Sequence, residues 1–307
     1  MKDGEIWAVT AYFNPCRYRS RRENYRVFRE RLDVPLVTAE LSFDGEFELG
    51  EDEAEILVRV DGGDVMWQKE RLLNVAASAL PAGVEKVALL DCDIVFDDPG
   101  WPGKACRALE ESVMVHLFSH GYRFPRQTLP EQLDDWGPYL RAYSTGYLYF
   151  SGLDLDFSVA NRWPFMGGAW GIRRSVLERH GVYDTFIMGG GAHAFVCAGM
   201  GKLGRALAPL NMNAAQESHF RAWADPFHES VQGRMTYLEG RLALLWHGSE
   251  ERRAYMDRHE GLRAYDFDPA TDIRVGPSGA WTWSTEKPDL HRYAAGYYQA
   301  RREDDGG

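Results

Sequence analysis

Val87-Ala88-Leu89-Leu90-Asp91-Cys92-Asp93 is the stretch on which the reading of the chain turns. Four successive apolar residues form a short strand of the kind buried on both faces in a parallel sheet. Two carboxylates follow at once. In an extended chain residues i and i+2 project to the same side, so Asp91 and Asp93 are expected to converge where the strand surfaces. Like charges so placed cost free energy unless a cation lies between them. A calcium EF-hand loop is excluded, because Val95 and Phe96 stand where oxygen ligands and a glycine are required. The triplet is therefore a candidate metal site, with a chance acidic turn as the alternative.

Outward from it, apolar runs alternate with helical patterns. Residues 5–13 are a β-prone run closed by the turn signal Asn14-Pro15, and the Arg-rich stretch after it carries Tyr18, Tyr25, Phe28 and Leu32 at helical spacing. Residues 34–38 read as a second strand, 40–55 as an acidic segment, 56–60 as a third strand and 66–80 as a helix. Strands alternating with helices predict an α/β fold with a mixed, mostly parallel sheet flanked by helices, ligands sitting at the carboxyl ends of its strands. The second half is less regular. Residues 131–150 are rich in Tyr and Asp, and Trp163-Pro164-Phe165-Met166-Gly167-Gly168 is turn-rich. A short helix is expected over 175–180, stopped by Gly181, and Gly189-Gly190-Gly191 opens another through Ala198. The tail, 301–307, is polar and expected to fray. There is no internal repeat and no linker that separates two independent domains.

Composition narrows the classes. With 307 residues, 45% hydrophobic and 26% charged, disordered, collagenous and coiled-coil readings fall away. No apolar run approaches the roughly 20 residues of a membrane span, and Met1-Lys2-Asp3-Gly4-Glu5 lacks the apolar core of a signal peptide, so the protein reads as cytoplasmic. Cys16, Cys92, Cys106 and Cys197 show no CxxC spacing, which argues against a thiolate zinc site or a disulfide framework. A net charge of -11 argues against a general polyanion-binding surface but leaves room for a local phosphate site. Gly199-Met200-Gly201-Lys202 lacks the Walker spacing, the 189–191 glycines lack the dinucleotide fingerprint, and there is no Gly-x-Ser-x-Gly elbow.

Several segments, in order, resemble the GT-A (Rossmann-like) glycosyltransferases, and within them the metal-dependent β-galactosyltransferase group and the related chondroitin-polymerase type. Thr10-Ala11-Tyr12-Phe13-Asn14-Pro15 stands where the family's first strand holds the nucleotide. Trp67-Gln68-Lys69-Glu70-Arg71-Leu72-Leu73-Asn74 resembles the Phe-Asn-Arg-Ala-Lys-Leu-Leu-Asn helix start that contacts uridine. Asp91-Cys92-Asp93 stands for the metal and ribose-phosphate triplet, and Phe165-Met166-Gly167-Gly168-Ala169-Trp170 for the segment along the donor sugar. Leu244-Leu245-Trp246-His247-Gly248-Ser249 resembles the late strand whose histidine completes the metal shell. The resemblance covers about residues 5–260. It implies a GT-A domain over 1–265 with a C-terminal extension over 266–307, and transfer of a sugar from a UDP-linked donor to an acceptor hydroxyl, with inversion. Thr10, Tyr12, Phe13, Asp61, Trp67, Lys69, Asp91, Cys92, Gly167 and Gly168 would hold the donor. Asp91, Asp93 and His247 would hold Mn2+ or Mg2+, manganese more readily because it accepts a nitrogen ligand. The alternative for His247 is a capped core histidine.

One departure matters. Where relatives carry Gly-Gly-Glu-Asp, this chain has Gly189-Gly190-Gly191-Ala192-His193, and an alanine cannot take the proton of an acceptor hydroxyl. Three readings stay open: His193 is the base, the enzyme retains configuration and needs none, or position 192 carries an introduced acid-to-alanine change, the reading we favour. The glycines would otherwise serve tight packing alone. Arginines between 17 and 31 could hold an anionic group or form a solvated helix face; Asp61 and Asp64 could contact ribose or serve a turn. Trp163, Trp170, Trp223, Trp281 and Trp283 are candidate stacking residues or core, and His219 and His228 are unassigned. The acceptor would be a glycan, a small molecule or a hydroxymethylated nucleic-acid base, the last disfavoured by the net acidity. The rival classes are a non-catalytic nucleotide-sugar-binding protein and a metal-dependent phosphoesterase.

Overall fold

Residues 5–132, 135–152 and 164–305 are described by a computed structural model. Every residue of β1 (Ile6–Phe13) and of β2 (Leu36–Ser42) is buried, as strands covered on both faces must be. Alternation along β1 feeds two cores: Trp7, Val9, Ala11 and Phe13 belong to one, Ile6 and Ala8 to the other. Helix α1 (Arg19–Glu30) links these strands. Then β3 (Ile56–Asp61), α2 (Lys69–Ser78) and β4 (Lys86–Leu90) complete a parallel unit in the order β3-β2-β1-β4.

The chain next forms β5 (Ile94–Phe96), α3 (Trp101–Glu111), β6 (Met114–His116), β7 (His120–Arg123), β8 (Leu140–Tyr143), α4 (Thr145–Phe150) and β9 (Ala169–Arg173). β9 inserts antiparallel between β4 and β6. After α5 (Arg174–His180), α6 (Gly191–Gly199), α7 (Leu203–Leu210) and α8 (Ala214–Val231), β10 (Met235–Tyr237) takes the edge beside β6, which gives a 7-stranded sheet in which β9 alone runs against the rest. β11 (Arg241–Leu244) joins β5, β7 and β8 in a second, 4-stranded sheet. Beyond them come α9 (Asp257–Leu262), α10 (Pro269–Asp272), a hairpin of β12 (Ile273–Val275) and β13 (Trp281–Trp283), and α11 (Pro288–Arg301). The mixed, mostly parallel α/β architecture is the expected one. No helix among the described residues is long and apolar enough to cross a membrane.

Three segments differ from expectation for identifiable reasons. The helix expected from residue 66 begins at Lys69, because the preceding turn is tied elsewhere: Trp67 N–H donates to Ile187 O (2.9 Å) and the Gln68 amide to Trp281 O (2.9 Å). β2 runs on into the acidic segment, where buried Glu40 accepts the N–H groups of Glu48 (2.6 Å) and Leu49 (3.1 Å). Arg301 and Glu303, in the tail expected to be loose, are buried while Arg302 between them is exposed; residues 306 and 307 lie outside the described residues.

The packing of that tail is ionic. Glu303 is wholly buried and receives Arg21 through Nε (2.7 Å) and Nη2 (2.8 Å), with Arg301 Nε at 2.7 Å. Helix α1 has no side-chain cap of its own at Tyr18; the Asp304 carboxylate supplies one from 284 residues beyond Ser20, accepting the N–H groups of Arg19 and Ser20 at 2.9 Å each. Glu303→Ala would strand two guanidinium groups in the interior and should cost about 3–5 kcal/mol in urea unfolding. Burial opposes ionisation of Glu303, but Arg21 and Arg301 outweigh it and hold its pKa at about 2, below the usual 4.5. The stability it confers is present above that usual value and should drain away as pH falls from about 4.5 to about 2; Glu303→Gln should remove that part of the acid transition.

Candidate functional site

At the end of β4 the chain does not remain extended as expected. Asp91 N–H donates to Gly168 O (2.8 Å), one further step of the ladder with β9, and then the backbone turns through Cys92 and Asp93 into β5. β5 pairs antiparallel with β11, Ile94 opposite Leu244, and Leu245 N–H donates to Asp93 O at 2.8 Å. That register brings His247 onto Asp93, with Nδ1 2.5 Å from Oδ2, though off the line of a well-formed hydrogen bond. Arg253 meets the other face of the imidazole at Nε2. Asp91 takes a different partner, Lys69 Nζ from the first turn of α2, at 2.7 Å. The two carboxylates are thus divided between a lysine and an imidazole.

Electrostatics follow from burial and these neighbours. Burial opposes ionisation of Asp93, yet His247, Arg253 and Lys69 hold it below the usual carboxylate range. Burial and then Arg253 keep the His247 imidazole below its ordinary pKa, against the pull of Asp93. Lys69 stays above the ordinary amine value, because Asp91 and Glu70 outweigh its burial. Burial, together with Asp93 and Asp91, pushes the Cys92 thiol up, so it remains protonated.

These groups open on a cavity of about 520 Å³. Tyr12, Phe13, Trp67, Lys69, Asp91, Cys92, Asp93, Gly167, Gly168, Ala192, His193 and His247 all line it. Phe13 and Trp67 meet edge to face with centroids 6.0 Å apart. Gly168 (φ 92°) and Gly190 (φ 103°) adopt left-handed backbone that favours glycine. His193 lies 3.8 Å from Cys197 Sγ through Nε2.

Other sequence candidates lie elsewhere. The Thr10 hydroxyl donates to Leu90 O (2.7 Å) inside the sheet, and Asp61 is exposed at the end of β3. Asp64 accepts the Trp283 N–H (2.7 Å), a structural use. Trp170 stacks on His116 in the core, and Trp223 on Phe227. Trp281 donates to Asp184 O at 2.8 Å. None of these lines the cavity, nor does Trp283, which stacks on His291; Trp163 lies outside the described residues. His219 meets the Tyr183 hydroxyl at 3.0 Å and His228 the Ala198 carbonyl at 3.1 Å. Arg17, Arg22, Arg26, Arg29 and Arg31 pair with surface carboxylates, and Arg21 with Glu303; of the run, Arg21 alone lines the cavity.

Sequence reasoning missed Glu70 and a cationic rim made by Arg123, Arg253 and Arg258 around Tyr255. Burial would raise the Tyr255 hydroxyl, but Arg253, Arg123 and Arg258 draw it below its ordinary value. Glu70 stood inside the motif already quoted; the arginines carried no signal beyond charge. Among the described residues no group of three or more His, Cys, Asp and Glu side chains is arranged to hold a metal ion.

No protein-family model and no curated protein matches the chain. Among solved structures it is similar to glucosyl-3-phosphoglycerate synthase from Mycobacterium tuberculosis in complex with Mn2+, UDP and phosphoglyceric acid, at 14% identity and TM-score 0.42, covering 92% of this chain and 87% of that one. It is similar also to residues 1–349 of TarS from S. aureus in complex with UDP, at 11% identity and TM-score 0.40, over 87% of this chain and 68% of that one. A third is a mutant of Drosophila β1,4-galactosyltransferase 7 with manganese, UDP-Gal and xylobiose, at 12% identity and TM-score 0.32, covering 66% and 62%.

Arg253→Ala should raise the His247 pKa toward that of an ordinary imidazole, and Asp93→Asn should lower it further. Histidine ring titration by NMR reads both directions.

Proposed function

We propose that the chain is a metal-dependent glycosyltransferase that moves a sugar from a nucleotide donor, UDP-linked, to the hydroxyl of a glycan or small molecule in the cytoplasm, with inversion. A GT-A domain over residues 1–265 would carry most of the site, with a C-terminal extension over 266–307 whose Arg301 also lines the cavity. The observation that carries the reading is the meeting of Asp93 and His247 at the carboxyl end of β4, on a cavity also lined by Phe13, Trp67, Lys69 and the Gly167-Gly168 turn.

The donor set fits a divalent cation. A carboxylate oxygen and an imidazole nitrogen lie side by side, and His247 Nδ1 is buried without an aligned hydrogen bond. Asp93 and His247 would hold the ion, with Asp91 beside them, and when bound it would neutralise charge on the departing diphosphate. Since no third protein ligand is arranged around the pair among the described residues, water and substrate oxygens would have to supply the other ligands, as magnesium-type sites allow. Lys69 would face the diphosphate once Asp91 turns toward the ion, and the guanidinium rim supplies positive potential in a chain of net charge -11. Phe13 and Trp67 offer apolar faces to the base.

Because cation and nucleotide complete each other's site, Mn2+ alone and UDP alone should stabilise the protein little, and the two together by more than the sum. At a hundredfold excess over Kd the gain is roughly 2.7 kcal/mol. Thermal unfolding with Mn2+, UDP and both checks this, and Asp93→Ala should abolish the joint effect. Equal stabilisation by UDP with and without Mn2+ would overturn the assignment. Manganese-dependent release of UDP from a panel of UDP-sugars tests turnover; a phosphoesterase would instead release phosphate from UDP itself, and a mere binder would release nothing.

A further inference from the structure

Transfer with inversion needs a group to receive the proton of the attacking hydroxyl, and position 192 offers a methyl. Four carboxylates line the cavity among the described residues: Glu70, Asp91, Asp93 and Glu250. Three are engaged by cationic or imidazole partners, Asp91 by Lys69 at 2.7 Å, Asp93 by His247 at 2.5 Å and Glu250 by Arg123 at 3.2 Å. Glu70 is held differently. Its Oε2 accepts the Trp67 indole N–H at 2.7 Å, and the Lys69 ammonium stands off from Oε1 at 4.0 Å. Its side chain is only 4% exposed.

The carboxyl of Glu70 also lies where an acid on α6 would otherwise be sought. A Cβ added to Gly191, the first residue of α6, would fall 2.4 Å from Glu70 Cδ and 2.5 Å from Oε1. That glycine is therefore what admits the carboxylate. The next residue, Ala192, lines the same wall: a Cβ on Gly167 would fall 3.1 Å from the Ala192 methyl and 3.8 Å from Asp91 Oδ2. The sequence carries a matching exchange: Glu70 stands where the Phe-Asn-Arg-Ala-Lys-Leu-Leu-Asn motif it resembles has alanine, and Ala192 stands in the segment where the separate Gly-Gly-Glu-Asp motif has its acids.

Resting on the transferase reading, we propose that Glu70, delivered from α2, is the general base that position 192 lacks. The carboxylate takes the acceptor O–H proton as that oxygen forms its bond to the anomeric carbon. The bond from that carbon to the diphosphate oxygen breaks, its electron pair leaving with the nucleoside diphosphate. The Trp67 indole fixes the orientation of the carboxyl. Burial raises the proton affinity of Glu70, with Lys69 opposing and Asp91 reinforcing, the direction a base at neutral pH requires.

Glu70→Gln keeps the shape and the bond to Trp67 but cannot take a proton. With Mn2+ and UDP-glucose or UDP-galactose it should release UDP about 10²- to 10⁴-fold more slowly than the parent, while stabilisation by UDP plus Mn2+ is unchanged. Azide carries no proton to remove, so adding it should restore turnover in Glu70→Gln, with glycosyl azide as product, and should not restore it in Asp93→Asn. Should Glu70→Gln fold poorly, Glu70→Asp and the pair Glu70→Gln with Ala192→Asp serve instead, and both should retain measurable turnover. A Glu70→Gln rate within threefold of the parent, or failure of azide to rescue it, overturns the base assignment and leaves the transferase intact. A parent that binds UDP with Mn2+ but turns over none of the donors likewise overturns Glu70 as the base. A parent that neither binds UDP with Mn2+ nor releases it overturns the transferase reading itself.

Discussion

Two carboxylates set side by side at the mouth of a buried strand must each be neutralised, and the architecture around them does this from separate directions. α2 contributes Lys69 to Asp91, and the second sheet contributes His247 to Asp93. Neither partner is a sequence neighbour. Lys69 reaches its acid because α2 packs on β1 and β2, one strand away from β4. His247 reaches its acid because β5 leaves the triplet directly and pairs with β11. The cavity exists where these two elements fail to close over the strand end, which is where an α/β sheet ordinarily receives its ligand.

How much of this could be read from the amino acids divides along a physical line. The strands β1, β3 and β4 and the helix at Gly191 were legible, because apolar runs, helical spacing and glycine punctuation are local signals. Lys69, Asp91, Asp93 and His247 could be nominated together through the order of the motifs, yet their pairing could not. The extended geometry assumed for residues 91–93 gives way to a turn because Asp93 O is required by Leu245 N–H, a contact across more than 150 residues. Thr10 was misplaced for a related reason: its hydroxyl is spent on Leu90 O inside the sheet. Glu70 was overlooked because its importance lies in the absence of a side chain at Gly191, which no periodicity announces.

The arginines of α1 show how misleading charge can be when read in one dimension. They look like a phosphate-binding run, yet they are met by the acidic segment that follows β2, Arg17 by Asp44 and Glu48, Arg22 by Glu53 and Arg29 by Glu55. Such pairs at the surface contribute little each. Arg21 apart, the cations that face the cavity come from scattered places: Lys69 at the start of α2, Arg123 at the end of β7, Arg253 before α9, Arg258 within α9 and Arg301 at the end of α11. An acidic chain thereby presents a locally positive basin.

The buried Glu303 knot ties α1 and the segment that follows α11 to the histidine beside the triplet. Arg21 reaches from Glu303 to the Phe13 carbonyl (2.8 Å), Trp246 donates to the Glu303 carbonyl (3.0 Å), and Arg301 to that of His247 (3.2 Å). During synthesis on the ribosome, β1 to β4 and the triplet emerge early, but the histidine segment gains these anchors only once residue 303 has been made. A nascent polypeptide therefore carries its acids long before their surroundings are set, and the segment that brings His247 to Asp93 is anchored only after more than 200 further residues have followed the triplet.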